Sequence, residues 1–188
     1  MEHSNNIRGA IGFSYYKKGG FFGLLARAIR FFTHGKWSHT FTVIGRLEGI
    51  GTPLVSEADE FGVNINLFSK YLDTGTYNFE LYAPQISDLK KDIGIQECLA
   101  LEGKTYGYFQ LLGFIIVWLV KKLTGKSIKN PIGGGIICSE EVLRYCLAVG
   151  IEEEKFKQLD ADTTSPKELY QIISTSPESF KLIRKQPE

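Results

Sequence analysis

Apolar and polar residues follow different periods on the two sides of Pro84. Before it the pattern is mostly that of strands. "IRGAIGFSYYKK" (7–18) mixes Ile, Phe and Tyr with polar residues and reads as a strand. "FFGLLARAIRFFTHG" (21–35) has helical spacing: Phe21, Leu25, Ala28, Ile29 and Phe32 share one face, Arg27 and Arg30 lie off it, and Gly35 serves as a stop. "WSHTFTVIGRL" (37–47) alternates as a strand, with His39, Phe41 and Val43 on one face and Thr40, Thr42 and Ile44 on the other. "GIGT" (49–52) is a turn. Residues 53–58, 61–68 and 76–84 read as three more strands. Connections this short favour antiparallel pairing.

After Pro84 the period becomes helical. The spacing predicts a helix over 87–104 with Ser87 as its cap, and another over 139–150 that ends at Gly150. Residues 107–123 are strongly apolar, and Gly133–Gly135 interrupt the chain. "SPKELYQII" (165–173) carries a capping box, with Ser165 as cap, Pro166 in the first turn and Glu168 reaching back to the cap amide. The order predicts an α+β fold, an antiparallel sheet packed against helices.

Length and composition narrow the classes of function. At 188 residues the chain is long enough for one domain with a sizeable core. With 43% hydrophobic residues, 23% charged residues and a net charge of +1, it has no global excess of positive charge for a nucleic-acid backbone. Three cysteines, Cys98, Cys138 and Cys146, cannot all pair within the chain, which points to a reducing compartment and a free thiol. The opening "MEHSNNIRGA" lacks the basic start and apolar run of a secretory signal, so the expected location is the cytoplasm.

The chemistry centres on "GGGIICSEEVLRY" (133–145). Cys138 stands where a helix begins, and a helix start offers unpaired amides and a partial positive charge. Both favour the thiolate. The glycines leave room near the sulfur, and local amides are placed to stabilise an oxyanion. The competing reading is a small buried residue at a helix start. Cys98 and Cys146 fall inside helical patterns and read as core.

A thiol nucleophile needs a base. His3 lies in the terminal stretch and His34 at a helix end. His39 lies early in a strand, on the face of Phe41 and Val43. An imidazole on such a face is ordinarily structural, and it is the helix-start cysteine that makes it a candidate base. Glu57, the acidic residue most clearly within a strand pattern, is the third candidate; it would orient the imidazole. Asp59 and Glu60 read as turn residues facing solvent.

"WSHTFTVIG", then "VSEA", then "CSEEVLRY" resembles, in that order, the circularly permuted papain-like proteins of the NlpC-type superfamily, in the YiiX-like branch related to lecithin:retinol acyltransferase. The resemblance covers roughly residues 8–172, and the closing "SPKEL" matches the family's Ser/Thr-Pro-x-x-Leu segment. It implies a single permuted papain-like cysteine hydrolase domain over 1–188. Cys138 would be the nucleophile, His39 the general base and Glu57 the orienting residue. "GKTYGY" (103–108) resembles a family segment that makes Tyr106 a substrate or oxyanion contact. The implied chemistry is acyl transfer through a thioester, with neither cofactor nor metal.

The acyl donor stays open between three readings. One is an amide, in a peptide or cell-wall fragment, cleaved by a thiol protease or amidase. Another is a lipid ester or amide, cleaved or transferred at a membrane surface. The third is a non-catalytic binding module that keeps the fold. "LLGFIIVWLV" (111–120) bears on the second. As a helix its ten residues span about 15 Å, against about 30 Å for a bilayer core, so it predicts a buried or interfacial helix and not a membrane span.

Overall fold

A computed structural model of the chain describes residues 7–47, 49–59, 61–107, 120, 123–125 and 135–186. Most of the apolar stretch at 107–123, together with Gly133 and Gly134, lies outside these residues, as do the side chains of Phe21 and Phe22. The described elements are β1 (Ile11–Tyr16), α1 (Gly20–Thr33), β2 (His39–Gly45), β3 (Leu54–Asp59), β4 (Gly62–Leu67), a 3-10 turn (Phe68–Leu72), β5 (Tyr77–Pro84), α2 (Asp88–Leu99), α3 (Cys138–Val149), α4 (Glu153–Phe156), α5 (Pro166–Ser174) and β6 (Phe180–Lys185). The fold is α+β.

The strands form one antiparallel sheet in the order β4-β3-β2-β1-β5-β6. Strand alternation sends successive side chains to opposite faces. Ile11, Phe13 and Tyr82 meet Val142, Tyr145, Cys146, Leu169 and Ile173 from the helices in one cluster. Phe41, Val43, Val55, Phe79 and Leu81 form a second cluster, with Phe68 and Tyr71 of the 3-10 turn. Cys98 and Cys146 are fully buried, as expected of core residues.

Gly12 is paired with Phe41, and a side chain there would overlap the Phe41 ring, its Cβ falling 2.0 Å from the nearest ring carbon. The glycine lets that ring lie flat across β1, where it stacks on Tyr71 at 4.1 Å between centroids and 15° between planes. The buried Glu80 carboxylate accepts hydrogen bonds from Tyr82 (3.0 Å) and Tyr170 (2.9 Å), tying α5 to the sheet.

Helix ends follow local chemistry. Ser87 caps α2, Ser165 and Glu168 form the capping box of α5, and Gly150 ends α3 in the left-handed region at φ 63°. Three expectations need correction. The left-handed cap of α1 is His34 (φ 51°), not Gly35, whose amide bonds back to the Arg30 carbonyl. Helix α2 stops at Leu99, because Ala100 to Lys104 turn back to pair with Val63. Asp59 is not a solvent-facing turn residue. It ends β3 and accepts hydrogen bonds from the side chains of Asn64 and Asn66 and from the Phe61 amide. Among the described residues no helix is long and apolar enough to cross a membrane.

Candidate active site

Cys138 is the first residue of α3, and the residues before it set its position. The Ile136 amide donates to the Thr105 carbonyl (3.0 Å), and the Gly107 amide donates to Ile136 (3.2 Å). Gly135 permits this approach, since a Cβ there would fall 2.6 Å from the Gly107 backbone. Beyond the cysteine, the Ser139 hydroxyl donates to the Thr164 carbonyl at 2.5 Å. Arg144 grips Glu140 one turn along the same helix. No side chain caps α3, so the sulfur lies beside uncapped amides at the start of a helix whose first turn also carries Glu140 and Glu141.

His39 begins β2, opposite Ser14 of β1. By alternation it shares a face with Phe41, as does Glu57, two residues beyond Val55 on β3. His39 Nε2 is 2.8 Å from Glu57 Oε2. The ring lies close enough to Cys138 for each to shift the titration of the other. Cys138, His39 and Glu57, remote in sequence, therefore meet. The His39 side chain is 22% exposed and Glu57 only 1%, so the imidazole reaches an open cavity while the carboxylate is enclosed.

Two further partners of Glu57 carry no sequence signal. Tyr71 donates its hydroxyl to the same oxygen that meets His39, and Lys70 ion-pairs the other oxygen at 2.5 Å. Both stand on the 3-10 turn after β4, a segment without strand or helix period. Thr40, next to His39, is fully buried near the Cys138 sulfur.

The electrostatics favour an ion pair. Burial would raise the Cys138 pKa, but the neighbouring His39 charge brings it below the ordinary thiol value. Burial would lower the His39 pKa, and the charges of Cys138 and Glu57, with the Glu57 hydrogen bond, reverse that and raise it. Glu57, despite burial, is held at about 2 by His39 and Lys70. By contrast, burial pushes Cys98 and Cys146 well up. A thiolate facing an imidazolium is a nucleophile with its proton donor already in place.

Glu141, one turn along α3, was legible only as a first-turn acid. It is fully buried, beside Ser56 and Cys98, and burial raises it to about 7, with the charge of Glu57 adding to the shift. Tyr106 pairs with Ile136 as an isolated bridge and lines the cavities on both sides of the Cys138–His39 pair. Compared with known protein families, with curated proteins and with solved structures, the chain shows no match.

Proposed function

We propose that the chain is a cysteine-dependent hydrolase that cleaves an amide through an acyl-thioester on Cys138. One observation carries this reading: Cys138, at the start of α3, lies beside an imidazole whose Nε2 is 2.8 Å from a buried carboxylate. The Cys138 sulfur attacks the carbonyl carbon, and the C–S bond forms. The imidazolium of His39 gives its proton to the leaving nitrogen as the C–N bond breaks. Neutral His39 then takes a proton from water, the hydroxyl oxygen bonds to the acyl carbon, and the thiolate leaves. Glu57 holds the ring orientation and stabilises its charged form throughout. An acyltransferase would follow the same course with another acceptor in place of water.

Alkylation tests the reading. An ordinary thiol with a pKa near 8.5 is roughly 0.3% thiolate at pH 6. Iodoacetamide at pH 6 is therefore expected to modify Cys138 on the order of a hundredfold faster than a free thiol, less the lower nucleophilicity of an acidified sulfur. Mass spectrometry of the digested protein assigns the site. The rate falls at least about tenfold in His39→Ala, and Cys98 and Cys146 stay unmodified in the folded protein. Slow, equal labelling of all three cysteines overturns the proposal.

A further inference from the structure

Tyr71 reaches Glu57 from a 3-10 turn of only five residues, and its hydroxyl stays on the carboxylate only while that turn stays in place. The Phe68 amide, donating to the Pro53 carbonyl at 2.8 Å, fixes the start of the turn. Just past its end the Thr76 and Tyr77 amides donate to the Asp73 carbonyl. The Tyr71 ring stacks on Phe41. A stack fixes the plane of a ring more firmly than its place within that plane, because offset arrangements lie close in energy. The last carbonyls of so short a turn also have no partner within it.

Gln186, the residue after β6, supplies what is missing from 115 positions away. Its Nε2 donates to the Tyr71 carbonyl at 2.9 Å, and its own amide donates to the Phe79 carbonyl at 3.0 Å, one step beyond the β5–β6 ladder. Ile183 of β6 packs against the cluster that holds Phe68 and Tyr71. The Gln186 side chain is buried, and among the described residues its Oε1 has no partner. A buried amide with an unsatisfied oxygen costs stability that a methionine of similar length would not. What the glutamine adds over methionine is its bond to Tyr71.

We infer that Gln186 is a positioning residue for the Cys138–His39 pair, holding the Tyr71 main chain so that the Tyr71 hydroxyl stays on Glu57. The path runs from Gln186 Nε2 to the Tyr71 carbonyl, from the Tyr71 hydroxyl to Glu57 Oε2, and from Glu57 Oε2 to His39 Nε2. Gln186 does not line the cavity beside His39, so its influence on the thiol passes through Tyr71. The inference rests on the thiol reading and adds that the β6 edge, four strands from β3, sets part of the reactivity of Cys138.

Gln186→Met and Gln186→Leu keep the bulk and remove the donor. The test is the rate of Cys138 alkylation by iodoacetamide at pH 6, measured for each variant alone and again in Tyr71→Phe, which has no hydroxyl to position. Urea denaturation selects the variants that fold. With Tyr71 intact the rate is expected to fall about two- to tenfold, the worth of one hydrogen bond, and no further than in Tyr71→Phe alone. In the Tyr71→Phe background the same substitutions are expected to change it by less than about twofold. A fall confined to the protein that keeps the Tyr71 hydroxyl supports the inference. An unchanged rate with Tyr71 intact, or equal falls in both backgrounds, overturns it and leaves the thiol reading standing. Slow labelling of Cys138 in the unaltered protein removes the thiol reading and this role with it.

Discussion

Glu57 Oε2 lies 2.8 Å from His39 Nε2, and the carboxylate that makes this contact is 1% exposed. A buried carboxylate is costly unless its charge is compensated. Here His39, Lys70 and the Tyr71 hydroxyl share that compensation. The arrangement couples stability to reactivity: the groups that keep Glu57 ionised in the interior also keep the imidazole oriented and charged beside Cys138.

Glu57→Gln is expected to retain the shape and lose the charge. The amide oxygen still accepts from His39, but nothing negative stabilises the imidazolium. We expect kcat/KM to fall by roughly ten- to a hundredfold with little change in KM, and the pH midpoint for Cys138 alkylation to rise. Stability carries a matching signature. The folded pKa of Glu57 is depressed from 4.5 to about 2, so its contribution is complete above pH 4.5 and lost as pH falls toward 2. Urea denaturation of the unaltered protein, taken from pH 5 to pH 3, is expected to show that loss, and Glu57→Gln to show less of it.

Tyr71→Phe separates support of the carboxylate from contact with the imidazole. The ring stack on Phe41 survives, while Glu57 loses one buried donor and keeps Lys70. The expected cost is about 1–3 kcal/mol in urea denaturation, with kcat reduced less than in Glu57→Gln. A loss of activity larger than that of Glu57→Gln would show that the Tyr71 hydroxyl acts on more than the carboxylate.

Glu141 predicts a pH dependence of opposite sign. Its pKa rises from 4.5 to about 7 on folding, so the folded state binds the extra proton. Its stabilising contribution is complete below pH 4.5 and is lost as pH rises to about 7, a change on the order of 3 kcal/mol. In Glu141→Gln this slope disappears. The stability of the variant relative to the unaltered protein is expected to climb between pH 4.5 and 7, then level off. A flat difference across that range would place Glu141 in a charged, compensated state.

How much of this was legible depended on whether the signal was local. His39, Phe41 and Val43 alternate on β2, and Ser165 and Glu168 form a capping box within one turn, so both elements are readable from neighbours. The α+β order follows from the change of period at Pro84. Cys138 stood out because a helix start acidifies a thiol whatever surrounds it. Strand β6 was missed. It is an edge strand whose Lys181, Arg184 and Lys185 interrupt the apolar pattern, and the charges that suit an edge conceal it from periodicity. Tyr71 and Lys70 were missed because a 3-10 turn has no face to read, and their partner Glu57 lies on another element.

Gly135 supplies the last test, because it joins the glycine run to the thiol. Its neighbour Ile136 holds Thr105 and Gly107 through two backbone hydrogen bonds, and Cys138 follows two residues later. A methyl group at 135 would fall 2.6 Å from the Gly107 amide nitrogen and Cα and 2.8 Å from the Tyr106 carbonyl carbon. These are backbone atoms, so no side-chain rotation relieves the clash, and the 105–107 segment must move away from the start of α3. The φ of Gly135 is not in the left-handed region, so the effect of Gly135→Ala is steric and not torsional. We expect the variant to stay folded and to lose a few kcal/mol of stability, in line with overpacking. Its Cys138 alkylation rate at pH 6 is expected to drop at least about tenfold as the sulfur leaves the reach of His39, because reactivity there depends on the paired thiolate. Unchanged alkylation in a folded Gly135→Ala protein would show that α3 holds its cysteine without the 105–107 bridge.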